Sequence, residues 1–252
     1  MEHLRDKVAL VTGASTGIGA ATARELARQG AKVAVVARRE TESCQVVQSI
    51  VDAGGEARFV RADLSVPEQA LGMVDDVVAW GGRLDIAVNN AGVPGKSAPV
   101  ADIDPADWDA VLALNLTGVF HCMRAEIKAM RSVGGGAIVN VLSISAHRPA
   151  RGFGAYVASK HGALGLTRAA ALEEAANGIR INALCPGGTV TGMVAVIKEM
   201  DPKLYDYLLA RFPIGRLAAP EEQAAAIAFL CGPGASFFIG SSVIADGGAL
   251  LD

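Results

Sequence analysis

The chain has 252 residues, 51% of them hydrophobic and 19% charged, enough to enclose one large core near the upper size of a single domain. A formal charge of -3 and a pI near 5.8, with no run of Lys or Arg, argue against an electrostatic footprint for nucleic acid and favour a small-molecule partner. The charged opening Met1–Lys7, the short apolar run Val8–Val11 after it, and the lack of 18 uninterrupted apolar residues predict a cytoplasmic protein with no signal peptide and no membrane span.

Short Val- and Ile-rich runs alternate with segments of helical period. Val8–Val11 precedes Gly17–Gln29, Val33–Val36 precedes Thr41–Ala53, and Arg58–Val60 precedes Pro67–Trp80. Leu84–Val88 leads into a long helix from about Pro105 to Met130, and Ala137–Val141 into a helix through Tyr156 to Ala176; Ile179–Leu184, a helix from Pro220 and a strand near Val243–Ala245 close the pattern. Repeated strand, helix, strand predicts an α/β fold, a doubly wound parallel sheet with helices on both faces. No linker, low-complexity segment or repeat divides residues 1–252, so one domain is expected. The weakly patterned stretch of about 191–219 reads as a substrate-loop insertion over the carboxyl edge of the sheet, where ligands bind in open α/β folds.

The first strand runs straight into Gly13-Ala14-Ser15-Thr16-Gly17-Ile18-Gly19 and then a helix. Strand, glycine loop and helix form a site for a dinucleotide, because glycines admit the pyrophosphate close to the backbone and the helix N-terminus favours its charge. At the end of the second strand, where a carboxylate would bind the ribose 2′-hydroxyl of NAD, the sequence has Arg38-Arg39, which suits a 2′-phosphate. NADP(H) is therefore favoured, with NAD(H) possible. Asp63 and Leu64 follow the third strand and Asn89-Asn90-Ala91-Gly92 the fourth; both turns should border the same cleft. Cys44, Cys122, Cys185 and Cys231 form no Cys-x-x-Cys pair, and His3, His121, His147 and His161 show no ligand spacing, so no metal is expected.

Tyr156 and Lys160 stand four apart on a predicted helix and so share a face. A cation beside a phenol favours its charged form, which predicts a lowered Tyr156 pKa and a group able to move a proton. With Thr12-Gly13-x-x-x-Gly17-Ile18-Gly19, Asp63, Asn89-Asn90-Ala91-Gly92, Asn115, Ser143, Tyr156-x-x-x-Lys160, Pro186-Gly187 and Asp246-Gly247-Gly248 in order, nearly the whole chain resembles the short-chain dehydrogenase/reductase family. Two positions depart from the commonest pattern: Leu142 precedes Ser143 where many members have a second serine, and Thr16 replaces a frequent basic residue.

The resemblance implies a seven-stranded Rossmann sheet, a nicotinamide cofactor, a homotetramer and a catalytic tetrad of Asn115, Ser143, Tyr156 and Lys160. It implies that Ser143 and Tyr156 bond the substrate oxygen, that Lys160 also reaches the nicotinamide ribose, and that Asn115 holds a relay water. Pro186, Gly187 and Thr191 would contact the nicotinamide, leaving Thr189 and Met193 facing outward or toward substrate. Ser145, His147, Phe153 and Met193 are the principal substrate-site candidates, with Val194, Ile197, Tyr205 and Leu208 also placed in the pocket. The expected activity is hydride transfer between NADP(H) and a carbonyl or secondary alcohol. Two alternatives stand: a reductase of 3-oxoacyl thioesters on an acyl carrier protein, docked through Arg124, Lys128 and Arg131, and a dinucleotide-binding protein without turnover.

Overall fold

The computed structural model describes residues 3–190 and 209–251. Each apolar run becomes a parallel strand: β1 (Val8–Thr12), β2 (Lys32–Ala37), β3 (Glu56–Arg61), β4 (Ile86–Asn89), β5 (Gly136–Val141), β6 (Ile179–Pro186) and β7 (Ser242–Ala245). They pair in the order β3-β2-β1-β4-β5-β6-β7. The order reverses between β1 and β4, so the crevice at their carboxyl ends is where a ligand should sit.

The strands read as continuous apolar runs because both faces are covered. Val11, Val33 and Val35 pack against Leu26 of α1 (Gly17–Arg28), Val46 of α2 (Glu40–Asp52) and Ile227 of the helix Pro220–Cys231. The alternate residues Leu10, Ala34 and Val36 face the other way, toward Met73 of α3 (Pro67–Gly81) and Met123 and Met130 of the helix Val119–Ser132. A period of two carried into two separate cores is what a doubly wound sheet requires.

The expected helix from about 105 to 130 is divided. α4 (Pro105–Leu112) passes into a π-helical segment, Ala113–Gly118, and then into α5 (Val119–Ser132). Asn115 lies in the π segment, where its side chain bonds across to other elements instead of leaving the helix regular. α6 (Gly154–Glu174) and α7 (Pro220–Cys231) match the predicted helices. β3 starts two residues earlier than expected, because pairing with β2 extends from Lys32↔Glu56 to Ala37↔Arg61. Among the described residues four three-residue 3-10 turns, such as Ile144–Ala146, are too short to leave a sequence period.

Of the expected insertion, residues 191–208 lie outside the described residues, and with them Thr191, Met193, Val194, Ile197, Tyr205 and Leu208. The remainder returns to the sheet edge, where the Val190 amide donates to the Ala218 carbonyl at 2.8 Å.

Candidate active site

The loop after β1 and the turn after β4 are laced together at the switch point. The Asn90 and Ala91 amides donate to Thr12 Oγ1 at 2.9 and 3.1 Å, and Asn90 Nδ2 returns to the Thr12 carbonyl at 3.0 Å. Glycine is required by this closeness: Gly13 has φ +62°, and a Cβ on Gly19 would stand 2.5 Å from the Gly13 carbonyl oxygen. α1 then begins with no side-chain cap on Thr16 and no acidic residue in its first turn. Its first amides are thus left as donors for an anion, which fits a pyrophosphate.

A cavity of about 510 Å³ extends from this loop. Ser15, Thr16, Gly17, Ile18, Asp63, Leu64, Ala91 and Gly92 line it, with Arg38 and Arg39 at the end of β2. Arg39 donates to Ser15 Oγ at 2.8 Å and Thr16 Oγ1 at 2.9 Å, which holds its guanidinium over the glycine loop. Arg38 lies 3.5 Å from Asp63, whose carboxyl is held low first by its bond from the Ser65 hydroxyl and less by Arg38. β2 ends in Ala37, so the strand end itself carries no carboxylate for a ribose hydroxyl, and the nearby carboxylates Asp63 and Glu42 lie against Arg38 and Arg39.

A second cavity, of about 320 Å³, adjoins the first and shares Ile18, Asn90, Gly92 and Val93 with it. Ser143, Tyr156, Lys160, Pro186, Gly187 and Thr189 line it, together with Val93, Pro94 and Leu142. Ser143 and Tyr156 share this lining, and Ser143 Oγ accepts from the Ser145 amide at 3.0 Å. Lys160 is 4% exposed; its ammonium donates to the Val141 carbonyl at 3.2 Å and lies 5.5 Å from the Tyr156 ring centroid. Asn115 is fully buried: its oxygen accepts from the Val93 amide at 2.9 Å, and its Nδ2 donates to the Val93 carbonyl and to Ser159 Oγ. The π segment therefore fastens the turn after β4 to α6.

The expectation that Lys160 would lower the phenol is reversed. Burial raises the Tyr156 pKa, Ser143 opposes it only in part, and burial pushes the Lys160 ammonium itself down to about 8. In both groups burial is the largest influence and disfavours the charged form.

The structure places the other candidates apart from this cavity's lining. Ser145 contributes its amide to Ser143, and Phe153 stands at the N-cap of α6 with its backbone bridged to Ala98. The exposed His147 bonds Ser242 at 2.7 Å. Thr189, by contrast, is buried and faces the cavity. Val93, Pro94 and Leu142 are lining residues that sequence reasoning passed over, although each adjoins a motif. Of the basic trio on α5, Arg131 is committed to a two-point ion pair with Glu174. Among the described residues no group of three or more metal-ligating side chains occurs, and no helix is long and apolar enough to cross a membrane.

Comparison with known proteins agrees with this geometry. The family described as Enoyl-(Acyl carrier protein) reductase, adh_short_C2, matches residues 13–249. The cis-4-hydroxycyclohexanecarboxylate dehydrogenase of Sinomonas cyclohexanicum is 42% identical over 98% of both chains. The cyclohexanol dehydrogenase of an Acinetobacter strain is 42% identical over 96% of this chain and 94% of its own. A structure from Agrobacterium tumefaciens, solved with bound NADP, superposes with a TM-score of 0.92 at 34% identity, covering 100% of this chain and 99% of that one. The chain belongs to the short-chain dehydrogenase/reductase family and is a nicotinamide-dependent oxidoreductase of hydroxyl and carbonyl groups.

Proposed function

We propose that this enzyme interconverts a secondary alcohol on a small carbocyclic ring and its ketone, using NADP(H), with Tyr156 as the acid and base. The observation that carries the reading is the convergence of Ser143, Tyr156 and Lys160 on one cavity that continues into the Arg38–Arg39 cleft, with the buried Asn115 bonded behind it to Val93 and Ser159. Bound cofactor would supply or accept the hydride. Gly17 and Ile18 would hold its pyrophosphate, Arg38 and Arg39 its 2′-phosphate, and Pro186, Gly187 and Lys160 its nicotinamide end.

In this reading the substrate oxygen sits between the Ser143 and Tyr156 hydroxyls. Both bonds strengthen as charge develops on that oxygen, so they lower the barrier and do more than bind substrate. Tyr156 gives its proton in reduction and takes one, as phenolate, in oxidation. Lys160 keeps the phenol oriented, and Asn115 holds the π segment against α6 so that the turn after β4 stays in place.

The ring substrate is supported by two features: Val93, Pro94 and Leu142 give the cavity an apolar wall, and the two curated relatives above are named for ring alcohols. The acyl-carrier alternative is weakened because Arg131 is held by Glu174. We also place the protein in the cytoplasm, as a homotetramer. Turnover of cyclohexanol, cis-4-hydroxycyclohexanecarboxylate, a 3-oxoacyl thioester and a steroid should be compared for the wild type and Tyr156→Phe. Oxidation of the ring alcohols, lost in the variant while NADPH binding persists, is the expected result. Full turnover by Tyr156→Phe would sink the mechanism.

A further inference from the structure

A line of hydrogen bonds runs inward from the surface at the end of the turn that Ser143 opens, by a route that the catalytic group does not use. His147 Nε2 lies 2.7 Å from Ser242 Oγ, and Ser242 Oγ lies 3.3 Å from the buried Cys185 Sγ. His147 is also the C-cap of the 3-10 turn Ile144–Ala146, whose N-cap is Ser143, and the Ala146 amide donates to the Ser143 carbonyl at 2.9 Å. The sheet brings the members together: Ala183 pairs with Ser242, and Cys185, two residues on, projects from the same face.

His147 closes the turn that Ser143 opens, so holding its ring on Ser242 holds that turn against β7. The next residue adds a second tie between the same loop and the C-terminal segment, as Arg148 donates to the Ala249 carbonyl at 2.8 Å.

We infer that His147 and Ser242 are positioning residues: by pinning the turn that Ser143 opens they fix the backbone of Ser143, and so set where its hydroxyl meets the substrate oxygen. This rests on the Ser143–Tyr156 chemistry proposed above. It gives His147 a role in orienting catalytic machinery without touching substrate. Because Ser143 acts on the reacting oxygen and not on the dinucleotide, the effect should fall on kcat and leave the KM for NADPH unchanged.

The test compares His147→Leu, Ser242→Ala, Ser242→Thr and the double variant His147→Leu/Ser242→Ala with wild type and Tyr156→Phe, recording kcat, both KM values and Tm. His147→Leu and Ser242→Ala should each lower kcat about three- to tenfold, the range that one neutral hydrogen bond commands. The double variant should be no worse than the poorer single, since both cut one line. Ser242→Thr, which keeps the hydroxyl, should stay within about twofold of wild type by the same reasoning. Wild-type kcat in both single variants, losses that multiply in the double, or losses confined to the KM for NADPH or to Tm would each overturn the inference. Turnover that depends on Tyr156 while the His147 and Ser242 variants are silent removes this inference alone. Full turnover by Tyr156→Phe removes the underlying reading and this inference with it.

Discussion

Tyr156 sits under opposing influences, and the larger one is burial, which raises a phenol that its ordinary pKa already leaves protonated at neutral pH. A protonated phenol is the form that donates in ketone reduction; alcohol oxidation needs the phenolate. Oxidation should therefore quicken as pH rises through the alkaline range while reduction slows. Measuring kcat/KM against pH in both directions checks this, and parallel profiles would contradict the assigned proton transfer. The i,i+4 spacing of Tyr156 and Lys160 was legible because a helix fixes it locally. The sign of the phenol shift was not, since burial depends on what the fold packs over the ring.

The same contrast holds at the end of β2. That Arg38 and Arg39 stand where a carboxylate would bind NAD is readable from the sequence. That Arg39 bonds Ser15 and Thr16, while Arg38 faces Asp63, depends on the sheet aligning three loops. Arg38→Ala should raise the KM for NADPH on the order of tenfold or more, the value of a charge-assisted hydrogen bond, and leave NADH nearly unchanged. Equal losses for both cofactors would deny Arg38 a phosphate role.

Among the elements, β4 and β5 carry a polar layer into the core. Asn89 and Asn140 are paired in register; Asn89 Nδ2 donates to Asn140 Oδ1 and to Glu126 Oε2 of α5, both at 3.0 Å, and Asn140 donates to Thr167 of α6 at 2.8 Å. Glu126 is wholly buried, and burial raises its carboxyl from 4.5 to about 8. The folded state therefore holds a proton that the unfolded chain gives up. Stability should be highest below about pH 4.5 as far as this group is concerned and should fall toward pH 8, by an amount on the order of several kcal/mol. Lys160 acts in a different window. Its pKa drops from 10.5 to about 8, so the cost of its buried charge is relieved only as pH rises from about 8 to 10.5. Denaturant titrations from pH 5 to 8 should show a slope that Glu126→Gln flattens; an unchanged slope would place the proton elsewhere.

α4, the π segment and α5 show why a helix boundary can escape sequence reading. Apolar spacing runs through Pro105 to Met130 with little interruption, and only the poor helix formers Asn115, Thr117 and Gly118 signal trouble. Its bonds to Val93 and Ser159, residues remote in sequence, provide the local stabilisation of an irregular turn.

For the molecule as a whole, large apolar side chains remain on the surface after both cores are filled. Phe237 before β7 is 99% exposed and Leu172 on α6 is 81% exposed; Phe229 on α7 and Ile244 on β7 are also exposed. Contact with further copies of the chain would bury them, consistent with the proposed homotetramer. Light scattering should then give about four times the 25.8 kDa of one chain. Phe237→Glu should lower that mass while leaving the monomer folded, and a monomeric wild type would remove the assembly.

The sequence alone determined the order of strands and helices, the doubly wound class, the glycine loop and the Tyr156–Lys160 pair. Each of these rests on local rules: side-chain period, the backbone freedom of glycine, and the geometry of one helical turn. Tertiary structure decided which carboxyl ends meet, that Asn115 joins α6 to the turn after β4, and that His147 reaches Ser242 and not the catalytic cavity. Those contacts join residues 22 to 95 positions apart, and only strand order and register fix which distant side chains share a face.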